Sequence, residues 1–136
     1  MHQLDFQVGE AYLAADSPND KCSAIFEDDG ETAYFYAVDT ESDEHQIVDA
    51  VHIYNVRDIV DRHISSTALI IWSDEGSQCA LLINSYPHAI FDFKAKRGYC
   101  RTNFPNFPDN ESGWLTSDHQ WSEKAAEWLE ESRSED

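Results

Sequence analysis

Between Ala68 and Phe104 the chain reads ALIIWSDEGSQCALLINSYPHAIFDFKAKRGYCRTNF. Short apolar runs alternate there with turn residues at intervals too brief for helices, which restricts the fold to one organised around a meander. Ala68 to Trp72 is continuously apolar with β-branched and aromatic members, and Cys79 to Ile83 is again continuously apolar, the pattern of strands covered on both faces. Ser73-Asp74-Glu75-Gly76 between them carries an acidic turn residue and a glycine. Asn84 to Pro87 forms the next turn, with Pro87 suited to the start of a strand because it lacks an amide hydrogen.

The last hairpin can be read residue by residue. In His88 to Phe93, Ala89, Phe91 and Phe93 face one way, and His88, Ile90 and Asp92 the other. A four-residue loop over Ala95 to Gly98, with Gly98 in a left-handed conformation, pairs Lys94 with Tyr99 and sets Asp92 beside Arg101. A three-residue loop would place Arg101 beside Phe93, on the apolar face, so the longer loop is expected. Phe91, Phe93, Cys100 and Phe104 then share the core face. His88, Asp92, Arg101 and Asn103 share the opposite face and form a candidate ligand site: arginine offers a planar fork for an anion, and a histidine beside a carboxylate can move a proton near neutral pH. The competing reading is a solvent-facing cross-strand ion pair. Cys100 and His88 fall on opposite faces, which argues against a thiol nucleophile.

Upstream, Leu4, Phe6 and Val8 alternate with polar residues up to Gly9, a half-buried strand. Cys22 to Glu27 and Glu31 to Asp39 form a hairpin about Asp28-Asp29-Gly30, and Tyr34 to Val38 reads as covered on both faces. Ile47 to Tyr54 favours strand by its β-branched residues, although Ile47, Val51 and Tyr54 also fit a helical stripe. Asn55 and Asp58 resemble a cap and its acidic third position, opening a short turn of helix. After the loop at 105–113, Ser117 and Gln120 resemble a capping box, and Trp121, Ala125, Trp128 and Leu129 make one helical stripe. The expected fold is therefore α+β: an antiparallel, strongly twisted or partly closed sheet of about seven or eight strands, with a C-terminal helix packed on one face. A single domain over 1–131 and a frayed acidic tail at 132–136 complete the expectation.

Charge supplies the functional lead. The formal charge is −18 and unevenly spread: residues 1–50 hold 13 acids and one base, residues 51–100 five of each, and residues 101–136 nine acids and three bases. Such a balance offers no phosphate-neutralising patch, which excludes nonspecific nucleic-acid binding, and its field steers basic partners. The acidic loop residues Glu41, Asp43 and Glu44 are candidate partner contacts, with Trp114 as an aromatic anchor; Phe107 and Tyr86 also sit in loops. Asp39, Glu41 and Asp43 have the opening spacing of a calcium loop, but Glu44 and Ala50 stand where glycine and the bidentate glutamate belong. The six histidines show no metal-ligand spacing, so neither metal nor cofactor is expected. Three cysteines make no disulfide framework and read as buried thiols. With no membrane span and no secretory leader in MHQLDFQVGE, a cytoplasmic protein is expected.

At LLINSYPHAIFDF (81–93) and RGYCRTNFP (97–105), with HIYNVRDIVDR (52–62) upstream, the chain resembles a family of small bacterial proteins, domain-of-unknown-function family 2251. The resemblance covers the middle and C-terminal two-thirds of the chain. It implies a small bacterial, cytoplasmic protein without established activity, and it carries over no catalytic residues. The reading that results is a non-enzymatic interaction protein that binds a basic partner, of the immunity or inhibitor type. The alternative is a binder of a small anionic ligand, or an enzyme, using the last hairpin's polar face.

Overall fold

The computed structural model describes residues 2–19, 21–40, 46–61, 63–102, 114, 115 and 118–129. Among these residues, nine strands form two antiparallel sheets. The five-stranded sheet has the order β1-β6-β7-β8-β9 and the four-stranded sheet the order β2-β3-β4-β5. In chain order the strands are β1 His2–Phe6, β2 Ala11–Asp16, β3 Cys22–Asp28, β4 Thr32–Asp39, β5 Gln46–Asn55, β6 Ser66–Trp72, β7 Gln78–Ile83, β8 Tyr86–Asp92 and β9 Arg97–Cys100. The stripe Ile47–Val51–Tyr54 thus lies in a strand, where β-branched side chains stack against β4.

The sheets pack face to face over one core. Phe26 and Phe35 of the smaller sheet and Ile70, Leu81 and Phe91 of the larger are fully buried there, with alanines at 24, 33, 37, 68 and 89 between them. Phe35 stacks on Phe91 with ring centroids 4.9 Å apart, so the two sheets share one aromatic contact at the centre. The smaller neighbours let those rings interdigitate. Edge strands of the two sheets lie side by side at both seams, β1 with β2 and β5 with β9. Asp28 locks the first seam: its Oδ2 accepts from the Gly9 amide and the Tyr54 hydroxyl, each at 2.6 Å.

The α+β expectation is overturned. Strand accounts for 58% of the structure and helix for 6%, so the fold is a β-sandwich, with no packed helix among the described residues. Beyond a 3-10 turn at Val56–Asp58, described helical backbone is confined to 127–129. The reason lies in residues 115–120. Leu115 and Gln120 pair in parallel with Arg97 and Cys100 of β9, and the Cys100 amide donates to the His119 carbonyl at 2.9 Å. Backbone groups bonded to β9's edge cannot also open a helix, and Ser117 lies outside the described residues. Trp121, Ala126, Trp128 and Leu129 nevertheless cover the larger sheet's outer face, against Leu69, Ile71, Leu82 and Ile90. That cover explains the unbroken apolar runs of β6 and β7. β4 differs: only Ala33, Phe35, Ala37 and Val38 are buried in Ala33–Val38, while Tyr34 and Tyr36 are half-exposed, so Tyr34 to Val38 is covered on one face rather than two.

The last hairpin keeps the expected faces but slides by four positions. Asp92 pairs with Arg97, Ile90 with Tyr99 and Ala89 with Cys100, so the four-residue loop is 93–96. Lys96 takes the positive φ of 57°, and Gly98 sits inside β9. A Cβ at Gly98 would stand 2.6 Å from Asp49 Oδ2 and 2.8 Å from Phe91 Cε1, so glycine here serves close approach rather than the turn. The even slide preserves parity, and the core face survives it. The preceding hairpin turns on Asn84 and Ser85, both at positive φ, which draws Tyr86 into the strand with Pro87.

Candidate functional site

The hairpin's polar face resolves into two separate places. Arg101 lies 3.7 Å from the Trp121 ring centroid and 4.7 Å from that of Tyr86. Its Nε donates to the Pro87 carbonyl at 3.0 Å, and a terminal nitrogen is 3.7 Å from the Glu123 carboxylate. The guanidinium is thus engaged by the strand and by the segment that covers the sheet. His88 is the extra residue at a bulge, since Leu81 pairs with Ala89 and Leu82 with Pro87. Burial first, and then the nearby Arg101 charge, pushes its pKa down to about 4, so the ring is neutral at physiological pH and does not exchange a proton there.

Asp92 stands at the other end of β8. Its Oδ1 accepts from the Lys94 and Ala95 amides at 3.0 and 2.9 Å, an Asx turn that fixes the loop. It also borders an open cleft with Gln78, Tyr99, Lys124, Glu127 and Trp128. Gln78 Oε1 and Trp128 Nε1 are buried without a hydrogen-bond partner among the described residues, but atoms sealed from water are equally sealed from a ligand. His88 and Arg101 are therefore brought together, Asp92 is not, and Asn103 lies outside the described residues. So do Glu41, Asp43, Glu44 and Phe107. Trp114 is buried, its ring edge-on to Phe91 and Phe93 at 6.1 and 5.2 Å, and it closes the core rather than presenting a surface anchor.

Sequence reasoning missed a buried, hydrogen-bonded aspartate–histidine pair. His119 Nε2 lies 2.8 Å and 3.0 Å from the two oxygens of Asp49, with both side chains at most 1% exposed. A bulge in β5, where Ala37 pairs with Asp49 and Val38 with Ile47, accompanies the placement of Asp49 in the core. Burial pushes the Asp49 carboxyl up, and the His119 bond opposes this. The partners lie 70 residues apart, and no local pattern announces them. Sealed from solvent, the pair fastens the 115–120 segment to β5 rather than acting on a substrate. Cys100 is fully buried in the same region, far in orientation from His88. Its neighbour Thr102 lies 3.1 Å from His52 Nδ1, and His52 Nε2 is 3.0 Å from Asn55 Oδ1.

The smaller sheet carries a different surface. Across its outer face, register aligns Tyr12 with Glu27, Glu27 with Tyr34, and Tyr34 with His52. Tyr34 stacks on Tyr36 at 6.0 Å and meets His52 edge-on at 5.8 Å. Tyr12 is 60% exposed. Burial first, and then the charges of Glu27, Tyr34 and Asp29, raise the Tyr36 hydroxyl's pKa. The alternation Tyr34-Phe35-Tyr36 contained this surface, because a tyrosine at every second position of a strand marks one face. Among the described residues, no cluster of three histidine, cysteine or acidic side chains is arranged to hold a metal, and no helix is long and apolar enough to cross a membrane.

Residues 6–130 match the family described as an uncharacterised protein conserved in bacteria, DUF2251. The chain is similar to an uncharacterised protein of Haemophilus influenzae, 42% identical over 107 residues, which is 79% of this chain and 65% of that protein's length. No solved structure matches the chain.

Proposed function

We propose, on the premise that this chain belongs to the uncharacterised bacterial family DUF2251, that it is a cytoplasmic, non-enzymatic interaction protein that binds a basic protein partner, as an immunity or inhibitor protein would. One observation carries the reading: charge is divided by sheet. Residues 11–55, which build the smaller sheet, hold 11 acids and one base, whereas residues 66–100, which build β6 to β9, hold three of each. One half of the sandwich therefore presents a concentrated negative field, which speeds association with a positive surface and rejects negative ones. The acidic loop with Glu41, Asp43 and Glu44 belongs to that half by sequence. Three buried cysteines outside any disulfide framework suit a reducing compartment.

The alternative, an anionic ligand on the last hairpin, draws less support. Arg101 is held between two rings and a carboxylate, and His88 is neutral. Capture from native bacterial lysate, washed at low and then high salt, tests the proposal when the captured protein is purified and its affinity measured. A basic protein whose affinity falls steeply with salt supports it. Affinity indifferent to salt, or to Glu41→Gln, Asp43→Asn and Glu44→Gln together, counts against steering by these acids.

A further inference from the structure

We propose that the outer face of the β2–β5 sheet is the docking surface, and that the row Tyr12–Glu27–Tyr34 is a cage for an arginine side chain of the partner. This rests on the basic-partner reading and gives it a place and a residue type.

The geometry begins with the register. Tyr12, Glu27 and Tyr34 stand directly opposite one another on three adjacent strands. Neighbouring strands lie about 4.8 Å apart, so the two tyrosines rise about 10 Å apart with the carboxylate between them. A planar cation between two rings needs about 7–8 Å, two contact distances of 3.5–4.0 Å, which small ring tilts supply. Next along the face, the rank Ala14–Ile25–Tyr36–Ala50 has small residues at both ends. Ala50 is buried, so the floor beside the cage for an extended basic segment runs over Ala14, Ile25 and Tyr36.

Chemistry selects the occupant. Glu27 is half-buried, and no described cation pairs with it. A carboxylate beside two tyrosine side chains attracts a cation and repels phosphate or carboxylate. A single carboxylate is too few oxygens for a hard metal ion. Guanidinium is flat, weakly hydrated and stacks on aromatic faces, which favours arginine over the compact, strongly hydrated ammonium of lysine. The molecule already holds one arginine this way: Arg101 lies over Tyr86 and Trp121 with Glu123 at 3.7 Å. The opposite outer face is covered by Trp121, Trp128 and Leu129; the tyrosine face is closed over Ala50 and His52 of β5 and open over β2, where Tyr12 is 60% exposed, with Glu27 and Tyr34 half-buried beside it.

The test titrates the protein with a short Arg-Gly repeat peptide and with a Lys-Gly repeat of equal charge, following tyrosine ring signals by NMR. The arginine peptide is expected to bind more tightly and to shift the rings of Tyr12, Tyr34 and Tyr36. Glu27→Gln and Tyr34→Leu should each weaken it about three- to tenfold, while Asp74→Asn, which removes an equal charge from the other sheet, should not. Circular dichroism and the core methyl spectrum of each variant establish that the sandwich is intact. Unshifted tyrosine rings, equal affinity for the two peptides, or equal weakening by Glu27→Gln and Asp74→Asn would overturn the cage while leaving a basic partner in place. Absence of salt-sensitive binding by either peptide would overturn both readings.

Discussion

Replacing Gly98 by alanine tests the hairpin register and the seam together. A methyl group at this position would stand 2.6 Å from Asp49 Oδ2 and 2.8 and 2.9 Å from two carbons of the Phe91 ring, all inside van der Waals contact. Neither neighbour yields cheaply. Asp49 is held by His119 and by the Ala50 amide at 2.9 Å, and Phe91 is stacked on Phe35. Overpacking of a well-filled core costs about 1–3 kcal/mol, and disturbing a hydrogen bond to a buried charge adds about 1–2 kcal/mol. The expected loss is about 2–5 kcal/mol, which for a chain of this length lowers Tm by about 6–20 °C. Urea unfolding should show a lower midpoint with an unchanged m-value. Lys96→Gly supplies the contrast. Lys96 adopts a φ of 57°, a conformation costing a non-glycine residue about 1–2 kcal/mol, so glycine there should leave stability within about 1 kcal/mol or raise it. A tolerated Gly98→Ala would place Gly98 in the loop and refute the argument.

Three further outcomes follow from the same contacts. His119→Ala strands the buried Asp49 carboxylate and should cost about 3–5 kcal/mol at neutral pH; because the folded Asp49 pKa is raised, the deficit should shrink as pH falls toward the unfolded carboxylate value, and a pH-independent loss in chemical denaturation would contradict this. His88 should titrate near 4 by NMR rather than near 6.5; its depressed folded value means that its contribution to stability is present above 6.5 and lost as pH falls toward 4, and His88→Gln should flatten that loss. Arg101→Met should loosen the C-terminal cover, at about 1–2 kcal/mol for two ring contacts and a hydrogen bond, and increase hydrogen exchange at 121–129; unchanged exchange there would show that the guanidinium does not fasten the segment.

Local pattern determined much of this molecule. Alternation and turn residues specify the central meander, the Asp28-Asp29-Gly30 hairpin and the half-buried first strand, because strand parity and positive-φ turns are properties of a few adjacent residues. Parity also sorted His88, Asp92 and Arg101 onto one face, for any slide of the loop by an even number of positions. The charge asymmetry belongs to the sequence outright. What sequence left open depended on contacts between distant residues. Gly98 resembles a turn glycine until Asp49 and Phe91 are seen against it. Trp121 to Leu129 has a helical stripe, yet hydrogen bonds from β9 claim the backbone just before it. Two tyrosines in a continuous run look like core until the strand they occupy is found with only its inner face buried. The Asp49–His119 pair crosses 70 residues, and no periodicity reaches so far. Hydrogen bonding between neighbours in the chain is legible locally; which sheet faces which, and what lies over each, is decided only when the whole sandwich closes.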